Sequence, residues 1–335
     1  MRAVVIDQPG SFGIETIDDP SPGRDEIVVA PRAVGICGTD LHIIDGHFPP
    51  APYPLVPGHE FAGEIVAVGP DVDELETGQR VAVDPSLFCG HCAYCRRGRG
   101  NLCQHWGATG DTVNGAFADY VSVPARNAYP IGDDVTWNAG ALVEPLSCVV
   151  HGLRRLAMPA GSELLIVGAG TIGLLLLQAA RRSGATSVSV VDPDESRRAL
   201  AASMGADAVA SHAAELSADR PLGFEYAVEA TGVPAAAETA LNALCRGGTM
   251  LVFGVAPEEA RLELSQYRVY NDEITVLGSM AVLDTFEPAL RLMSSGAIAH
   301  TAMVTHTFAL AQFAEAVDAA RQRRGLKVQV TDRAR

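Results

Sequence analysis

Four of the chain's seven cysteines fall within fifteen residues, as Cys89-Gly-His-Cys92-Ala-Tyr-Cys95 closed by Cys103. Steps of 3, 3 and 8 residues bring four thiolates close enough to fill every position of a tetrahedral Zn²⁺, the pattern of a structural ion. Two disulfides or four unrelated buried thiols are the alternatives. The opening Met-Arg-Ala-Val-Val-Ile carries neither the cationic and apolar segments nor the cleavage site of a secretory signal; it reads as a first β-strand. A cytoplasmic, reducing location is the expectation, and it disfavours disulfides. A structural zinc lobe is therefore expected over residues 86–104. With all four positions taken, substrate has nowhere to bind there, and chemistry has to be sought elsewhere in the chain.

The chain has 335 residues, 48% hydrophobic and 19% charged, enough for two domains with real cores and too apolar for disorder. No apolar run reaches the length of a membrane span. A formal charge of −15 argues against a nucleic-acid partner, which calls for a basic face, and weakly against a highly anionic substrate.

Residues 1–147 show short apolar strands cut by turn residues, such as Ile27 to Ala33, Glu64 to Val68, Arg80 to Val83 and Phe117 to Val123. The proline clusters at 20–22 and 49–54 fit neither helices nor central strands. A β barrel with long loops is the expectation. Near Cys148 the texture changes. Apolar strands at Leu164 to Val167, Val188 to Val191, Tyr226 to Glu229, Thr249 to Phe253 and Ile274 to Leu277 alternate with helical stretches at Thr171 to Arg182, Glu195 to Met204 and Ala235 to Leu244. Such repetition implies a doubly wound parallel sheet over 148–284. The tail, 285–335, ends in a strand from Lys327 to Val330 that by pattern alone could join either domain.

Gly168-Ala-Gly170-Thr171-Ile172-Gly173 follows the first of these strands and opens a helix. The first glycine permits the tight turn, the second lets backbone approach a pyrophosphate, and the third packs helix on strand. The helix N-terminus offers free N–H groups to the phosphates. Asp192 follows the second strand, 19 residues beyond Gly173, where a carboxylate accepts the ribose hydroxyls and repels a 2′-phosphate. NAD is thus favoured over NADP, although Arg197 or Arg198 could reach toward a phosphate.

Cys37-Gly-Thr39-Asp40-Leu-His42 and Gly58-His59-Glu60 lie in the first domain, and Glu144 stands in Val143-Glu144-Pro145-Leu146 at its end. Each is ordinary alone. Together a thiolate, an imidazole and carboxylates suit a catalytic Zn²⁺ that keeps one position open. Residue 63 is glycine, so His59-Glu60 is not the helical His-Glu-x-x-His pair of a metalloprotease.

With these motifs the chain resembles the zinc-dependent medium-chain alcohol dehydrogenases essentially end to end. Gly58-His59-Glu60-Phe-Ala-Gly63, with Gly69 and Val72 at the family offsets, carries the signature, and the cysteine lobe and glycine motif occur in family order. The resemblance implies an α/β chain: a GroES-like barrel, a Rossmann domain, and a return of 285–335 to the barrel. It implies Cys37 and His59 as ligands of a catalytic zinc, with Glu60 a ligand or exchanging with water and substrate. Glu144 in its Glu-Pro-Leu setting is similar to the polyol and sugar dehydrogenase branch. Thr39 matches the hydroxyl that bonds the alcohol, and His42 the solvent end of a proton relay. Phe48, Tyr53 and Phe88 are candidate walls of the substrate cleft.

The expected enzyme oxidises a polyol, sugar or other secondary alcohol with NAD⁺, using two zinc ions per chain, and assembles as a homotetramer or dimer. An L-threonine 3-dehydrogenase-like enzyme is the nearest alternative. A non-catalytic nucleotide-binding scaffold or redox sensor is the alternative of another class.

Overall fold

The computed structural model describes residues 1–216, 218 and 220–331. The chain divides into two compact units, one of residues 1–147 with 282–335 and one of residues 148–281. The return thus begins at Val282, and the last positions of the expected third segment, 332–335, lie outside the described residues.

The first unit is built on a seven-stranded sheet in the order Val304–Phe308, Lys327–Thr331, Glu26–Gly35, Glu60–Val68, Arg80–Val83 and Ala128–Pro130, with Val121–Pro124 pairing Glu26–Gly35 off this path. Val/Ile alternation makes these strands: in Glu26–Gly35, Ile27 and Val29 are fully buried, and Val34, Phe61, Ile65, Val81 and Val328 join them in one core. Phe117 and Phe313 meet edge to face there, ring centroids 4.8 Å apart. Pro31, which has no N–H for a ladder, sits at a register shift between Glu26–Gly35 and Glu60–Val68 and bends the sheet. The expected strand from Phe117 begins only at Val121, because Phe117 and its neighbours bond to the 56–58 segment instead.

The tail belongs to this unit. Lys327–Thr331 pairs antiparallel with Glu26–Gly35, Gln329 opposite Gly35, and Val304–Phe308 pairs parallel on its outer side. The helix Phe313–Arg321 makes the crossover, its Phe313, Ala316 and Val317 buried in the barrel core.

The second unit is a six-stranded parallel sheet in the order Ala208–Ala210, Ser187–Val191, Glu163–Val167, Phe224–Glu229, Leu244–Val252, Thr275–Gly278. Its strands are apolar because both faces are covered. The three-residue strand Ala208–Ala210 was not legible in the sequence pattern, and the helix expected to reach Leu244 stops at Asn242, where the Leu244–Val252 strand takes over. Strand order reverses beside Glu163–Val167, the switch point at which doubly wound sheets bind ligands.

Candidate functional site

In the cysteine lobe the four sulfurs form one group. Cys89 and Cys103 are 3.5 Å apart, Cys92 and Cys103 3.9 Å, Cys89 and Cys95 4.0 Å. Sulfurs placed about 2.3 Å from a tetrahedral Zn²⁺ lie about 3.8 Å from one another, whereas a disulfide closes to about 2.0 Å. The spacing fits the ion. Backbone N–H groups also point at the sulfurs, from Cys92 to Cys89 at 3.4 Å and from His105 to Cys103 at 3.2 Å. Such donors, that of Cys95 foremost, bring the Cys92 thiol down to about 6, and that of Cys89 lowers Cys103. Burial pushes Cys95 up to about 12. The loop therefore favours thiolate on part of its sulfurs before any ion binds.

The second cluster is assembled from distant segments. Donor atoms of Cys37, His59 and Glu60 lie within 4.8 Å of one another. Cys37 caps the helix Gly38–Ile44, and Asp40, fully buried, accepts the Cys37 N–H on Oδ2 at 2.7 Å. Its other oxygen faces His59 Nδ1 at 3.6 Å, and Asp111 Oδ1 stands 3.1 Å from the same nitrogen. None of these three facing atoms makes a well-aligned hydrogen bond. Burial opposes charge on His59, yet Asp111 and then Asp40 outweigh it and raise its pKa well above the ordinary value. With carboxylates on its Nδ1 side, the ring has Nε2 left to offer a lone pair.

Glu60 is held by a residue that spacing did not single out. Lys327 Nζ donates to Glu60 Oε2 at 2.6 Å, to Oε1 at 2.8 Å and to the Ile36 carbonyl at 3.2 Å. Burial alone would lower this lysine, but Glu60, then Cys37 and Glu144, raise it, so it stays charged. The pair closes across the intervening strand because that strand has glycine there: a Cβ at Gly35 would lie 2.1 Å from Glu60 Oε2. Glu144, buried in the first turn of the helix Val143–Leu156, lies outside the 4.8 Å set but near enough to act on Lys327. Asp40, Glu60, Asp111 and Glu144, exposed by 0%, 2%, 5% and 8%, thus share this region with Cys37 and one buried lysine. That excess of buried negative charge fits a divalent cation.

Thr39 and His42 lie three residues apart on the same short helix and so share a face. The Cys37 thiol donates to Thr39 Oγ1 at 3.8 Å, and the His42 ring centroid is 6.5 Å from that of His47. Of the three expected cleft walls, Tyr53 donates its hydroxyl to the Ile43 carbonyl at 2.6 Å, and Phe88 packs on Gly100 inside the cysteine lobe.

In the second unit, Gly168 turns at φ +107°, and a Cβ at Gly173 would lie 1.8 Å from the Gly168 carbonyl oxygen. Gly170, the N-cap of Thr171–Arg182, faces open space with no side-chain cap, so the first-turn N–H groups at Thr171, Ile172 and Gly173 remain for an anion. Asp192 accepts the Ala169 N–H on Oδ2 at 2.7 Å and the Asp194 N–H on Oδ1 at 2.9 Å. A carboxylate has about four acceptor sites, which leaves about two for ribose hydroxyls. Arg198 is spent on the Asp192 and Pro193 carbonyls, both at 2.8 Å, and the Arg197 N–H donates to Asp194 at 3.1 Å. These residues fit a dinucleotide.

The fold and these sites define a zinc-binding dehydrogenase. Residues 23–133 match the alcohol dehydrogenase GroES-like domain and residues 171–295 the zinc-binding dehydrogenase domain. The chain is similar to D-arabinitol dehydrogenase 1 of Uromyces fabae, 38% identical over 98% of this chain and 97% of that protein. It is 36% identical to L-threonine 3-dehydrogenase of Saccharopolyspora erythraea, with 98% of each chain covered. A putative zinc-binding dehydrogenase from Sinorhizobium meliloti 1021, solved bound to NADP, matches with a TM-score of 0.95 at 33% identity, covering 99% of each chain. The chain belongs to the zinc-dependent medium-chain alcohol dehydrogenase family.

Proposed function

We propose that the protein oxidises a secondary hydroxyl of a polyol or sugar to a ketone, passing hydride to NAD⁺ and releasing a proton. The observation that carries this reading is the buried, carboxylate-rich cluster in which Cys37, His59 and Glu60 offer donors within 4.8 Å of one another. Cys37, His59 and Glu60, with Glu144 beside them, would hold the catalytic zinc, and Cys89, Cys92, Cys95 and Cys103 the structural one. When bound, Zn²⁺ acidifies the alcohol hydroxyl and NAD⁺ accepts hydride from the carbinol carbon. Thr39 would take the hydroxyl proton of the alcohol, and His42, three residues further on in the same helix, would hand it to solvent. Lys327 holds the Glu60 carboxylate beside the place the ion would take. The Gly168-Ala-Gly170-Thr171-Ile172-Gly173 cradle binds pyrophosphate and Asp192 the adenosine ribose, with Arg197 at the rim. The Asp192 charge selects NAD over NADP.

The same reading places the enzyme in the reducing cytoplasm, in keeping with its free thiols, and makes it a homodimer or homotetramer. The outer strand Thr275–Gly278 exposes Val276, and the helix Gln266–Asn271 exposes Tyr267 and Tyr270 by 73% and 84%, an apolar edge suited to a second copy. Sedimentation of Val276→Lys against the parent checks it: an unchanged mass rules out this edge.

NADH formation over a panel of sugar alcohols, cyclitols, simple secondary alcohols and threonine tests the activity. Turnover of polyols is expected. Turnover of threonine alone would transfer the protein to the threonine dehydrogenases, and no turnover of any would favour the scaffold. Asp192→Ala should weaken NAD far more than NADP; equal loss of both means the ribose assignment is wrong.

A further inference from the structure

Asp111 has no part in the reading above. It lies on a loop between short strands yet is only 5% exposed, with Oδ1 3.1 Å from His59 Nδ1. Glycines bring it there. A Cβ at Gly110 would lie 2.4 Å from the Gly58 backbone, and one at Gly115 would lie 2.4 Å from the Gly58 carbonyl oxygen. Only bare backbone lets the 109–115 loop settle so closely on the residue that precedes His59. The N–H groups of Gly115, Ala116 and Phe117 then bond to the carbonyls of Val56, Gly58 and Pro57 at 2.7, 2.9 and 3.0 Å, and Asn114 Oδ1 accepts from the Val56 N–H at 3.0 Å. At its other end the loop hangs from the cysteine lobe. Gly107–Ala108 pairs with Ser86–Leu87, the two strands that enter and leave the four-thiol loop, and the Asp111 N–H donates to the Ala108 carbonyl at 3.1 Å.

Asp40 cannot do this work alone. One of its oxygens is taken by the Cys37 N–H, and the other, at 3.6 Å, is beyond hydrogen-bond reach of His59. Turning toward the imidazole would release Cys37. Asp111 makes the nearer approach and has no such second obligation to a ligand residue.

We propose that Asp111 is a positioning residue for the catalytic metal: its carboxylate keeps the proton of His59 on Nδ1 and the lone pair on Nε2, and the cysteine lobe holds the loop that delivers it. The inference rests on the zinc reading of the Cys37–His59–Glu60 cluster. Outer partners of this kind are worth on the order of 10–100-fold in metal affinity.

The test is metal retention by the purified full chain, as zinc per chain after dialysis against graded chelator and as the absorption spectrum after Co²⁺ replacement. Asp111→Ala should lose one of two zinc ions about 10–100-fold more readily than the parent, with an altered Co²⁺ spectrum, an unchanged KM for NAD⁺ and the four-thiolate zinc retained. Asp111→Asn, whose amide oxygen still accepts the Nδ1 proton, should recover most of that affinity. Equal retention by the parent and Asp111→Ala overturns the inference and leaves the zinc reading standing. So does a loss in Asp111→Asn as large as in Asp111→Ala. A parent chain that binds only the lobe zinc overturns both.

Discussion

In the cysteine lobe every candidate ligand comes from one fifteen-residue stretch, and the backbone of that stretch, with His105 just beyond it, supplies the N–H groups that favour its thiolates. In the other cluster the candidate ligands Cys37 and His59 come from two loops and Glu60 from the first position of a strand, and the cation that steadies Glu60 lies 267 residues further along the chain. The first site is made by local geometry and is closed by its own donors. The second is made by sheet register: Gly35 stands opposite Glu60 on one side and opposite Gln329 on the other, and the missing side chain leaves room for charge to meet charge. A site built this way leaves donors and carboxylates in excess of their partners, which a purely structural centre has no reason to do.

Four variants break or sharpen this contrast. Cys92→Ser should release the lobe zinc; a structural ion of this type is worth on the order of 10 kcal/mol of folding free energy. Its loss should unravel residues 86–104 to proteolysis, and an intact lobe with one zinc fewer would mean that the loop holds itself. Next, Lys327→Met should cost about 3–5 kcal/mol in denaturant titrations, because Glu60 is left charged and buried. Adding Glu60→Gln should return most of that loss, and a double variant no more stable than the single one removes the ion pair from the account. Gly35→Ala inserts a methyl where Glu60 Oε2 now lies and should cost about 1–3 kcal/mol together with catalytic zinc. The smallest effect on stability is expected for Cys37→Ala, within about 1 kcal/mol, although zinc falls from two per chain to one and turnover is lost. If Cys37→Ala melts like Cys92→Ser, the two centres are not different in kind.

How far the sequence shows these sites follows the same division. The cysteine spacing and the glycine motif are legible because each is a local device, its chemistry and its backbone coded in one stretch. The strand–helix alternation from Glu163 to Gly278 is legible for a similar reason, since periodicity is local. Lys327 is not legible: a lysine opening Lys-Val-Gln-Val reads as a solvated strand end, and only its pairing two strands away from Glu60 buries it. Gly35 carries a faint signal, as a glycine inside an apolar strand marks a close approach. Asp111 carries less, since flanking glycines are as ordinary as turns. The placement of Tyr53 and Phe88 escaped for the converse reason. Aromatic side chains near a motif read as walls, and the partners of their hydrogen bonds and packing are not written in the spacing.

The bond between Lys327 and Glu60 also sets an order in time. At roughly 5–20 residues per second, a ribosome delivers the lysine about fifteen to fifty seconds after the glutamate, once the whole nucleotide-binding unit has been made. Throughout that interval the barrel lacks the strand Lys327–Thr331, and Glu60 cannot be sealed from water without a cation to meet it. Glu60 would thus be present, and open to solution beside Cys37 and His59, well before the last strand brings its lysine. The late lysine leaves the growing chain a period in which an ion can enter.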